Sequence, residues 1–153
     1  MIVMKFGGTS VEDSKAIARV ASIVAGRRQQ RPAVVVSAMG GVTDVLIAMA
    51  KGAAAGDLPG AMKSLQTVQE RHLKACEELR VPPQAVSKLH ALFDALEVVL
   101  RGIAALGELS GHFRDHTYTR FLRRAFAQRA YCDWHSRPSW ESAWPTGHVV
   151  GNV

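Results

Sequence analysis

The sequence predicts an α/β fold in which parallel strands carry helices on both faces and a helical hairpin is inserted. Three observations predict it. Two short β-rich runs, residues 2–6 and 33–37, flank one stretch of helical apolar spacing. Each run ends in a glycine pair, Gly7-Gly8 and Gly40-Gly41, that opens onto a further helix. Beyond the second pair, residues 61–79 and 85–106 hold apolar side chains at helical intervals on either side of Pro82-Pro83.

The first run, Ile2-Val3-Met4-Lys5-Phe6, has the composition of a buried strand, and Gly7-Gly8 ends it. Ser10-Val11-Glu12-Asp13 fits a helix start, with a capping hydroxyl at Ser10 and acids in the first turn. Ile17, Val20, Ala21 and Val24 then form one apolar stripe, and Gly26 followed by Arg27 and Arg28 suits a helix end. Pro32 precedes Ala33-Val34-Val35-Val36-Ser37, whose successive valines suit a strand covered on both faces. Strand, helix and strand at this spacing make a βαβ unit with parallel strands. Val45, Leu46, Met49 and Ala50 resume helical spacing after the second turn. The hairpin follows, with Leu65, Val68, Leu89, Phe93, Leu96 and Leu100 among its apolar positions; His72 and His90 on it read as structural.

Composition narrows the function classes. The chain has 153 residues, 48% hydrophobic and 21% charged, which supports a buried core and excludes wholesale disorder. No apolar run reaches the roughly 18 residues of a membrane span, and no signal-peptide layout opens the sequence. Cys76 and Cys132 make neither a disulfide framework nor a zinc motif, so a cytoplasmic setting is expected, with no metal held by protein ligands. The net charge of +6 is unevenly distributed. Residues 112–153 hold six arginines and no lysine, three acids, all three tryptophans and four of the six histidines. Such a tail could contact phosphates and stack on bases, but it matches no nucleic-acid motif, and nucleic acid is not an expected partner.

Parallel strands place both glycine turns at one edge of the sheet, where open α/β folds bind ligands. Lys5, just before the first turn, and Thr9-Ser10, just after it, suit a phosphate, although a tight turn accounts for Gly7-Gly8 equally well. Ser37 and Thr43 flank the second turn. They could bind a carboxylate or phosphate, and Thr43 could also cap the helix. No Ser/His/Asp arrangement and no HExxH is present. His112, Arg114, Asp115 and His116 fit no metal spacing.

Lys5-Phe6-Gly7-Gly8-Thr9-Ser10-Val11, followed by Val35-Val36-Ser37-Ala38-Met39-Gly40-Gly41-Val42-Thr43-Asp44, closely resembles the opening of aspartate kinases, members of the amino acid kinase superfamily. The resemblance covers residues 1–116, including residues 58–106 as the inserted hairpin and Leu106-Gly107-Glu108-Leu109 as its end. It implies a three-layer α/β sandwich of which this chain holds part. It also implies phosphoryl transfer from ATP, with Mg²⁺, to the β-carboxylate of L-aspartate. Lys5 would be the catalytic cation; Phe6, Gly7, Gly8 and Ser10 would line the phosphates; Ser37 and Thr43 would hold aspartate. Self-association is a further expectation.

The resemblance ends abruptly. A Ser-Phe-Gly-Glu-like turn is due within about ten residues of Asp115 and is absent. Codon degeneracy allows Phe121-Leu122-Arg123-Arg124-Ala125-Phe126, read one base onward, to spell Ser-Phe-Gly-Glu-Leu, so residues 117–153 are expected to be an out-of-frame or disordered tail. The expected activity of this 153-residue chain is accordingly low. The alternative is a non-enzymatic binding protein that uses its basic aromatic tail.

Overall fold

The computed structural model describes residues 2–108. Strand β1 (Val3–Phe6) leads through a tight 3-10 turn (Gly8–Val11) into helix α1 (Ser14–Gly26). Strand β2 (Ala33–Val36) follows, then helices α2 (Val42–Ala54), α3 (Leu58–Glu78) and α4 (Pro83–Leu106). The strands pair in parallel, with Val3 opposite Ala33 and Phe6 opposite Val36, as the βαβ reading expects.

Alternation along β1 decides what the sheet buries. Met4 and Phe6 turn towards α1 and pack with Val34 against Val11, Val20 and Val24. Val3 and Lys5 occupy the opposite face and are exposed, Val3 at 70%. The expectation that residues 2–6 form a buried strand therefore fails for one face of β1, and β2, expected to be covered on both faces, is buried only at Val36 and half-buried at residues 33–35. The two-stranded sheet has α1 on one side, and Val35, opposite Lys5, is only half-buried.

The start of α1 differs from the sequence reading. Ser10 is not its N-cap: Ser10 N–H donates to Gly7 O at 3.0 Å and closes the 3-10 turn. Asp13 takes the capping role, its carboxylate accepting from Ala16 N–H at 2.7 Å. Both residues are good caps, and the intervening turn shifts the helix start by one helical turn. Gly26 is the last residue of α1, as expected.

The main core lies among the last three helices. Leu46 and Met49 of α2, Leu65 and Val68 of α3, and Phe93 and Leu100 of α4 are all at most 5% exposed and belong to one cluster. Val45, placed on the apolar stripe from sequence, instead faces outward at 37% exposure. The hairpin's bounds agree with residues 58–106. Asp57 caps α3 by accepting from Gly60 N–H at 2.9 Å, and Pro83 starts α4. Arg80 closes α3 in the left-handed region, at φ 53, while Val81 N–H reaches back to Cys76 O at 2.9 Å. No described helix is long and apolar enough to cross a membrane.

Candidate functional site

Parallel register brings the two glycine turns together. Phe6 and Val36 end their strands side by side, and Ser37 N–H donates to Phe6 O at 3.0 Å. Gly7-Gly8 and Ser37–Gly41 therefore emerge from the same edge. They touch through backbone: a Cβ on Gly8 would lie 3.4 Å from Ala38 O and 3.5 Å from Gly40 Cα. A Cβ on Gly40 would lie 3.5 Å from Gly8 O and 3.4 Å from Glu12 Cβ. The two loops thus lie in backbone contact at Gly8 and Gly40, where an added Cβ would sit at ordinary van der Waals distance.

Gly7 and Gly41 are glycines for other reasons. Gly41 sits at φ 77, a conformation that costs a side-chain-bearing residue roughly 1–2 kcal/mol. Gly7 is extended, at φ −78 and ψ 177, and a Cβ there would meet nothing within 4 Å. Neither backbone conformation nor packing within the described residues requires a glycine at position 7. Bare backbone facing open space is what close approach of a ligand needs.

The start of α2 adds a second anion-favouring element. Gly41 is its N-cap and no side chain caps it, so the alternative of helix capping by Thr43 does not occur. Thr43 is instead exposed in the first turn, and Ser37 is exposed at the end of β2. N–H groups at a helix start carry partial positive charge and suit an anion. Lys5 is exposed, two residues before Gly7, on the sheet face away from α1. Water can solvate its ammonium there. Phe6 points the other way, into the small core, and Ser10 is half-buried within the 3-10 turn. Lys5, Gly7, Gly8, Ser10, Ser37 and Thr43 thus fall on two adjoining loops and the strand ends that feed them, as the motif order implies.

One residue of this region escaped the sequence reading. Arg71, from the middle of α3, donates through Nη1 to Gly40 O and through Nη2 to Glu12 O, each at 2.7 Å. It spans both loops. An arginine on the solvent side of an amphipathic helix carries no sequence mark of such a contact, because its partners lie 31 and 59 positions away.

Glu12, beside Gly40, and Asp44, in the first turn of α2, are acids next to the loops, whereas the described histidines and cysteine lie away from them or serve the core. His72 is 9% exposed, bonds through Nδ1 to Val68 O at 2.7 Å and stands edge-on to Phe93, so it is a core histidine, as read. Burial is the main cause that lowers its pKa. His90 is exposed on α4 near Gln69. Cys76 is a free, half-buried thiol whose pKa burial raises. Among the described residues no group of three His, Cys, Asp or Glu could hold a metal ion. The tail, with His112, Arg114, Asp115, His116 and Cys132, lies outside the described residues.

Comparison with known proteins gives this geometry a context. The profile of the amino acid kinase family matches residues 1–132. Aspartokinase 1, chloroplastic, of Arabidopsis thaliana is 31% identical over 116 residues, 74% of this chain and 20% of that protein. The aspartokinase of Thermus thermophilus is 55% identical over 53 residues, 33% of this chain and 13% of that protein. In fold, the chain resembles the aspartate kinase of Clostridium acetobutylicum, with a TM-score of 0.55 and 16% identity, over 94% of this chain and 37% of that one. The chain spans about a fifth of the length of the first of these relatives.

Proposed function

This chain belongs to the amino acid kinase family, and from that membership we propose that its two glycine turns form the phosphoryl-transfer edge of an aspartate kinase. The reaction is ATP and L-aspartate to ADP and 4-phospho-L-aspartate, a first step in making amino acids derived from aspartate. The observation that carries the reading is Gly7, which the folded chain gives no reason to be glycine and whose backbone faces open space. Similarity to aspartokinases of a plant and a bacterium supports the choice of acceptor.

Each role follows from chemistry at the described positions. Phosphoryl transfer needs placement and charge stabilisation more than acid or base groups. The Lys5 ammonium neutralises charge gathering on the transferred group. Gly7 and Gly8 present backbone to phosphate oxygens, with Phe6 and Ser10 framing the turn. Ser37 and Thr43, with the uncapped start of α2, receive aspartate. A carboxylate acceptor is already anionic at neutral pH, so no poised histidine is needed. No group of three His, Cys, Asp or Glu among the described residues would hold Mg²⁺, which would arrive with the nucleotide as its counter-ion.

The proposed setting is cytoplasmic, and self-association of subunits belongs to the same reading. Residues 117–153 are proposed to be read out of frame, although the family match runs on to 132. Coding DNA that fails to continue as kinase sequence in the shifted frame removes that proposal.

The test of function places residues 1–106 in the corresponding segment of the Thermus thermophilus aspartokinase. Aspartate-dependent ADP release is expected. Lys5→Met should lower turnover on the order of 10²–10³-fold with melting unchanged. Full turnover by Lys5→Met would remove Lys5 from the chemistry, and a well-folded chimaera without aspartate-dependent activity would reject the reading.

A further inference from the structure

We propose that Arg71 is a positioning residue: it clamps the two glycine turns in the relative placement that ligand binding requires, and so makes the hairpin helix α3 part of the site. The inference rests on reading those turns as the nucleotide and aspartate edge, and it assigns that edge a support none of its motifs contains.

The geometry is that of a two-point brace. Nη1 and Nη2 belong to one planar guanidinium, and each holds a different main-chain carbonyl at 2.7 Å, Gly40 O on the second loop and Glu12 O beyond the first. Charge-assisted bonds of this length are the stronger kind, and a planar fork fixes direction as well as distance. In a trans peptide the N–H points opposite to the carbonyl, so holding Gly40 O also sets the Gly41 N–H at the start of α2. Holding Glu12 O likewise fixes the peptide joining the 3-10 turn to Asp13, the cap of α1.

The brace is mounted on a rigid element. Val68, His72 and Ala75, on the same stretch of α3, are buried, and His72 stands edge-on against Phe93 of α4. A second bond joins α3 to α1, from Ser14 Oγ to Glu78 Oε2. This bond reaches the start of α1, whereas Arg71 reaches the loops themselves. Backbone contact between Gly8 and Gly40 lets the loops approach; the guanidinium directs the Gly40 carbonyl of the second loop and the Glu12 carbonyl just past the turn that follows the first. A lysine at position 71 keeps the charge but concentrates it on one nitrogen without the fork.

The experiment uses the whole 153-residue chain as wild type, Arg71→Met and Arg71→Lys. Amide hydrogen exchange without ligand reads the clamp, and calorimetric titration with MgATP reads the site. Arg71→Met is expected to speed exchange at Gly41–Asp44 and Gly8–Asp13 on the order of tenfold and to weaken MgATP by a similar factor. Arg71→Lys should recover less than half of either effect, with melting of both variants close to wild type. Unchanged loop exchange in Arg71→Met overturns the proposal and leaves the site reading intact. Full rescue by Arg71→Lys shows that charge alone suffices and overturns the two-point brace. Collapse of melting in both variants makes Arg71 a general structural residue and also overturns it. If neither the wild-type chain nor the chimaera binds MgATP, the site reading is rejected, and the positioning role with it.

Discussion

The βαβ unit and the three-helix cluster are built to different depths. The cluster of α2, α3 and α4 buries Leu46, Phe93, Leu96, Leu100 and Ile103 to 2% exposure or less. The βαβ unit closes on a few valines, with Val11, Val20 and Val24 buried and Met4, Phe6 and Val34 only partly covered. The motif residues lie on the thin unit and at the seam where α2 begins. The heavily packed region therefore acts as a foundation, and the chemistry-bearing loops are fastened to it through α2 and through Arg71 rather than by a deep core of their own.

The largest expected effect attacks the foundation. Phe93→Ala should cost about 3–5 kcal/mol, measured by chemical denaturation. It should loosen loop exchange as well, if the loops depend on the cluster. A Phe93→Ala chain that loses helical packing while the βαβ unit keeps its protection would break the contrast, making the small unit self-sufficient. Val20→Ala, on the thin side, should cost roughly 2 kcal/mol, with increased exchange confined to β1, α1 and β2.

Acid probes the foundation through His72. Burial holds its folded pKa below that of the unfolded chain, so the folded state resists protonation. Its penalty is absent above an unfolded pKa of about 6.5 and grows as pH falls through that value towards the lower folded one. Stability should therefore decline on acidification below neutrality, and His72→Leu should flatten that part of the denaturation profile. An identical slope in both proteins would remove His72 as its source.

The glycines give the smallest and most discriminating effects. Gly41→Ala should cost about 1 kcal/mol because φ is 77 there. Gly7→Ala should leave melting within about 0.5 kcal/mol of wild type while weakening MgATP, since only an incoming ligand meets the added methyl. If Gly7→Ala binds MgATP normally, the space beside it serves no ligand. Arg80→Gly should stabilise by about 0.5 kcal/mol, through relief of its left-handed backbone at the end of α3.

Local chemistry made much of the fold legible. Parallel strands, both glycine turns and the hairpin helices read at residues 61–79 and 85–106 follow from periodicity and from Gly and Pro punctuation, which act within a few residues. The misplaced cap shows the limit of such reasoning. Ser10 and Asp13 both satisfy the pattern, and only the 3-10 turn between them assigns the role to Asp13. Lys5 was placed at the right strand end but with the wrong surroundings, because burial depends on which layers cover the strand. Arg71 was invisible for a related reason: its meaning lies in carbonyls of distant loops, and carbonyls look alike in every sequence.

The bare beginning of α2 ties occupancy to folding. Asp13 and Asp57 supply the oxygen that the starts of α1 and α3 want, while α4 begins at Pro82 and α2 at Gly41 with no side-chain cap. A visiting carboxylate or phosphate at Gly41 would do a capping residue's work, so the same contact would both seat the guest and steady its host.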